Sequence, residues 1–174
     1  MKEAPIPKNE KEGLGSLRKI NFSKISKANL NKITELATKL FNVPISTITF
    51  VDDKKEKHFS VCGLKDKEGL RSASFCGHAI AGKKNIMIVP DALKDSRFKD
   101  NPMVVKGLKI RFYAGVVLKG ADGYNLMLDI LPQTKDISFG VFDSCVQAHA
   151  ADFLLFLNYF SSGDLHFFQR FIEI

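Results

Sequence analysis

The sequence predicts a mixed domain of helices and strands, and three observations carry that reading. Residues 28–41 put Leu30, Ile33, Leu36, Ala37, Leu40 and Phe41 on one face at helical spacing. Residues 45–51 (I-S-T-I-T-F-V) alternate apolar and β-branched residues with Ser and Thr, and residues 58–62 (H-F-S-V-C) return after a charged turn, so the two read as a hairpin. Residues 74–118 then supply a short apolar helix, a strand, a polar loop with capping residues and a second apolar strand. At 174 residues the chain is long enough to bury a core as one domain with tails.

Taken in order, residues 1–15 are rich in Lys, Glu, Pro and Gly and predict a mobile tail. The helix over 28–41 stops at Asn42 and Pro44, because proline cannot continue the helical hydrogen-bond pattern. The strand over 45–51 is expected to be half-buried, 52–57 to form a charged turn, and the returning strand to close at Gly63. Residues 64–73 read as a polar loop. Ser74 is a natural N-cap for a helix over 75–81 that Gly82 ends. A strand over 85–89 leads into a loop that Asp91 and Asp95 can order through nearby backbone N–H groups, with Arg97 a partner for one of them. A helical turn at 103–105, a strand over 109–118, a tight G-A-D-G turn at 120–123 and a strand over 124–131 complete the pattern.

S-F-C-G-H-A-I (74–80), V-P-D-A-L-K-D-S-R-F-K-D-N-P (89–102) and I-R-F-Y-A-G (110–115) stand in an order and spacing that resemble the bacterial GAF domain. L-A-T-K-L-F-N-V-P-I (36–45) fits the same likeness. The resemblance is to the sensory type found beside diguanylate cyclases, histidine kinases and phosphodiesterases, and it covers about residues 17–129. It implies an α+β fold, a central antiparallel sheet of five or six strands with flanking helices on one face. It also implies a GAF-like domain at 16–135 between the tail at 1–15 and an atypical segment at 136–174. Two departures stand out. His58 occupies a position that is usually aromatic, and G-Y-N-L-M-L-D-I-L replaces a longer family pattern with an internal Gly and Cys. Beyond residue 133 a charged exit helix is expected from the family. This chain instead places eight of its fifteen Phe in residues 139–171, with no lysine after Lys135. That composition suggests an altered end, such as a shifted reading frame, or a partner surface.

Candidate functional residues follow from chemistry and from the resemblance together. Cys76 near a helix start is a candidate thiolate, but Cys76 and His78 are two apart and point to different sides of a helix, so they do not form a nucleophile pair. Packing plus a helix-end hydrogen bond is the plainer role for both. The resemblance suggests a small-molecule pocket that Phe75, Cys76, His78, Arg111 and Tyr113 line, with Arg111 and Tyr113 facing a concavity. A cross-strand pair, or a salt bridge to Asp91 or Asp95, is the structural alternative. Haem through His78 is a further option. The bilin-attaching pattern is absent because Gly77 separates Cys76 from His78.

His58, His78, His149 and His166 are too scattered for a metal site, and no phosphate-binding glycine loop is present. Formal net charge is +7, but residues 1–135 carry 25 Lys+Arg against 14 Asp+Glu, and the lysines are interspersed with acids. That pattern reads as a solvated surface and not as a nucleic-acid patch. The polar start has no signal-peptide core and no apolar run reaches the length of a membrane span, so a reduced, cytoplasmic setting is expected. Three cysteines without a close pair suggest no disulfide framework. The reading is therefore a non-catalytic sensory domain that binds a small molecule or dimerises to control an output module. A thiol-dependent reductase of free methionine sulfoxide and an interaction module using the Phe-rich segment are the alternatives.

Overall fold

The computed structural model describes residues 1–21, 24–119 and 125–131. The G-A-D-G turn, Cys145 and the Phe-rich segment lie outside them. Helices α1 (Glu10–Lys19) and α2 (Lys27–Leu40) precede a hairpin of strands β1 (Ile45–Val51) and β2 (Lys55–Cys62). Strand β3 (Glu68–Leu70) runs into a 3₁₀ turn (Arg71–Ala73) and then helix α3 (Phe75–Ala81). Strand β4 (Ile86–Val89), the one-turn helix α4 (Pro102–Val105), and strands β5 (Tyr113–Lys119) and β6 (Asn125–Leu131) follow. The strands lie in the order β3-β2-β1-β6-β5-β4, every neighbour antiparallel.

Helix α2 starts where Ser26 accepts a hydrogen bond from the Asn29 N–H at 3.3 Å, which satisfies one of the free donors of the first turn. Past its C-cap Phe41 the chain turns away at Asn42, whose φ of 48° is a left-handed conformation that asparagine tolerates. Leu30, Thr34 and Ala37 are buried, and Leu30 packs on Ile48 and Phe50. Leu36, expected on that face, is exposed. Thr34 sits on it instead, with its hydroxyl 3.0 Å from Ser60 of β2.

Strand β1 is buried along its whole length, where a half-buried strand was expected. The reason is that both of its faces are covered. Ile48 and Phe50 meet α2, whereas Ile45 and Val51 meet residues on and around α3. Helices therefore flank the sheet on both faces and not on one. Thr47 and Thr49 share the α3 face, so burying two hydroxyls there requires hydrogen-bond partners. A bulge between Ile48 and Thr49 adds Phe59 to β2 and moves His58 opposite Thr49. Gly63 closes the hairpin at φ 77°, where a Cβ would collide with the Pro44 carbonyl.

Several expected loops are more ordered than composition suggests. The first fifteen residues, read as a mobile tail, carry half of α1. They also bond to the body through Lys2 N–H to Arg97 O (3.1 Å) and Ala4 N–H to Ser72 O (3.2 Å). The polar loop at 64–73 contains β3 and the 3₁₀ turn, and the charged turn at 52–57 is already strand from Lys55. The expected strand over 109–118 begins only at Tyr113, because Lys109 adopts φ 52° and breaks the extended run. Helix α3 matches the expected span, with Ser74 accepting from the Gly77 N–H at 2.7 Å.

The core on the α3 face joins Ile45, Phe75, Val89, Ala92, Phe98, Val104, Ile110 and Tyr113. Phe75 stacks on Phe98 (4.0 Å between centroids) and on Tyr113 (4.9 Å). Gly115 makes room for this stack, since a Cβ there would lie 2.1 Å from the Tyr113 hydroxyl and 2.8 Å from Asp129 Oδ1. Gly115→Ala is expected to lower stability by about 1–3 kcal/mol through overpacking. A urea titration checks this, and an unchanged midpoint contradicts the close approach.

Candidate functional site

The sheet face under α3 carries a line of polar side chains that pairing places together. Val51 pairs with Glu56, Thr49 with His58, Thr47 with Asp129, and Asp129 with Gly115. Cross-strand partners point to the same face. Because Val51 meets α3, Glu56 does too, and the same alternation turns Thr47, Thr49, Asp129 and Tyr113 toward the helix.

Asp129 is the hub. It is fully buried, and its Oδ1 accepts the Tyr113 hydroxyl at 2.6 Å. Its Oδ2 accepts Thr47 Oγ1 at 3.2 Å and Cys76 Sγ at 3.2 Å. Thr47 lies 3.0 Å from Thr49, whose hydroxyl lies 3.0 Å from His58 Nδ1. Burial raises the Asp129 carboxyl above its ordinary value, while the hydroxyls of Tyr113, Thr49 and Thr47 and the Cys76 thiol hold it down.

Glu56 is the second acid, only 3% exposed, and among the described residues its Oε2 has no hydrogen-bond partner. Burial and then the charge of Asp129 push it up to about 7, against smaller help from Cys76 and Ser74. Burial likewise pushes the Cys76 thiol and the Tyr113 phenol well up, and the two carboxyls add to it. Burial lowers His58, with Asp66 opposing.

Of the five residues expected to line a pocket, Phe75, Cys76 and Tyr113 come together here. The other two are elsewhere. His78 points to the far side of α3, its Nε2 3.1 Å from the Lys2 carbonyl and its ring edge-on to Phe98. Burial lowers its pKa, and the bond to Lys2 opposes that. Arg111 is tied to backbone of its own segment. It donates to the carbonyls of Val104 (2.9 Å), Lys109 (3.2 Å) and Ile110 (3.1 Å), and makes neither of the salt bridges to Asp91 or Asp95. Asp95 is taken by Arg97 at 2.7 Å, as the loop reading expected. Tyr113 is fully buried.

Asp129, Glu56, Thr47 and Thr49 were missed. The signal for Asp129 was present, an acid inside the apolar strand N-L-M-L-D-I-L. Among the described residues no group of three or more His, Cys, Asp or Glu could hold a metal ion, and no helix is long and apolar enough to cross a membrane.

No family model matches the chain. It is 41% identical over 95 residues to a cyclic di-GMP phosphodiesterase of Pseudomonas aeruginosa, which is 55% of this chain. The chain spans only 16% of the length of that curated relative. It is similar in structure to the blue-light absorbing form of the Thermosynechococcus elongatus PixJ GAF domain, with a TM-score of 0.50 at 13% identity over 70% of this chain and 73% of that one. It is also similar to the free methionine-R-sulfoxide reductase from Neisseria meningitidis solved with its substrate, with a TM-score of 0.50 at 18% identity over 69% of each chain. The fold is GAF-like α+β.

Tyr113→Phe removes one hydrogen bond to the buried carboxyl and is expected to cost about 1.5–3 kcal/mol. Urea unfolding reads this as a lower midpoint at unchanged slope. A loss of only a few tenths means that Asp129 is not the hub.

Proposed function

We propose that this chain is a non-catalytic sensory or regulatory domain that binds a small molecule, or dimerises, to control an output module. The carrying observation is the polar row on the α3 face, the half-buried His58 with the buried Glu56, Thr49, Thr47, Asp129 and Tyr113, set against the Phe75 aromatic stack. Recognition sites combine apolar walls with a few placed polar groups, and this face has both. The 41% identity to a stretch of a much longer cyclic di-GMP phosphodiesterase supports a place within a larger signalling protein. The ligand site is the α3 face, with Phe75, Cys76 and Tyr113 of the expected residues lining it. Arg111 and His78 act in the scaffold.

The reductase reading has less support from the site. A nucleophilic cysteine reacts as the thiolate. Cys76 is fully enclosed beside two carboxyls, which favours the protonated thiol. Accordingly, Cys76→Ser is expected to leave any reduction of free methionine sulfoxide at the level of the unsubstituted chain. A large loss of turnover in that assay overturns the non-catalytic reading.

Native mass spectrometry of the purified chain tests the sensory proposal. The expected result is a bound small molecule or a dimer, with Asp129→Ala losing the small molecule. A chain that is monomeric at high concentration and carries nothing overturns it.

A further inference from the structure

We propose that Glu56 and Asp129 form a proton-operated latch for α3: with Glu56 protonated the helix stays seated on the sheet, and with both acids charged it lifts. The latch is regulation of the ligand face proposed above and rests on that reading for its use, although its physics does not need a ligand.

The geometry comes from two strands and one helix. Glu56 on β2 and Asp129 on β6 flank β1 and both face α3. Cys76 of α3 bonds Asp129, and both carboxyls act on its thiol, so the helix is seated over the pair. The surrounding groups are named by element. From β1 come the Thr47 and Thr49 hydroxyls, and from β2 His58, bound to Thr49. Tyr113 comes from β5, and Ser74 and Cys76 from the α3 end. From β3 the Gly69 backbone approaches Glu56. Arg71 in the 3₁₀ turn is buried; Glu10 and the Asp52 carbonyl take its two Nη groups, and its Nε has no partner among the described residues. Among the described residues no cation is among the groups whose charge acts on Glu56 or Asp129.

The proton therefore has one place to reside. Asp129 accepts three donors and tolerates its charge, whereas Glu56 has an oxygen with no partner among the described residues and keeps the proton. The Glu56 carboxyl stands at about 7 in the folded chain, against 4.5 ordinarily. A raised acid adds stability that is complete below its unfolded value and is lost as pH rises through its folded value. The seated state thus weakens as pH rises through about 7.

Hydrogen exchange of the α3 amides on the full chain, corrected for the intrinsic pH dependence of exchange and with no small molecule added, reads the latch. The α3 protection is expected to fall roughly tenfold between about pH 6 and about pH 8. Glu56→Gln, a neutral mimic of the protonated acid, is expected to hold protection level over that range. Asp129→Asn removes the repelling charge and is expected to weaken the fall; it serves as the second variant if Glu56→Gln does not fold. Flat protection in the unsubstituted chain, or an undiminished fall in the variant that folds, overturns the latch. A ligand-free result in native mass spectrometry leaves this measurement unaffected, so the two proposals fail separately.

Discussion

The three hydrogen bonds that converge on Asp129 are the constraint the rest of the domain answers to. A buried carboxyl is costly unless donors surround it. Here the donors come from β1 (Thr47), β5 (Tyr113) and α3 (Cys76), so satisfying one side chain fixes the relative positions of three elements. The aromatic stack of Phe75 on Phe98 and Tyr113 then grows outward from the same phenol. Gly115 is small because that phenol passes over it.

Much of this was legible in the sequence where the signal is local. The span and cap of α3 follow from Ser74 and Gly82, the stop of α2 from Asn42 and Pro44, and the Asp95–Arg97 pair from a two-residue spacing. Each depends on residues within a few positions of one another. The face that a residue presents depends instead on what covers it. β1 reads as half-buried because Thr47 and Thr49 alternate with apolar residues, and only the α3 layer makes those hydroxyls internal.

The site was less legible for the same reason. Glu56 stands between Lys55 and Lys57 and reads as part of a charged turn. Its pairing with Val51 across the hairpin is what turns it inward. Arg111 and Tyr113 were expected to share one side of a regular strand. The left-handed Lys109 delays that strand, which leaves Arg111 to gather the carbonyls of Val104, Lys109 and Ile110. Cys76 and His78 were correctly separated, since helical geometry alone sends them to opposite sides.

The pairing of Arg71 with Glu10 has a mechanical consequence. Arg71 is 5% exposed, and Glu10 grips its guanidinium with both carboxylate oxygens. Pulling the two apart would strand a positive charge inside the protein, a loss of several kcal/mol in comparable cases. Helix α1 and the short turn that leads into α3 are therefore geared together. A tug on the amino-terminal helix would reach, through one side chain, the turn that leads into the element roofing the acids.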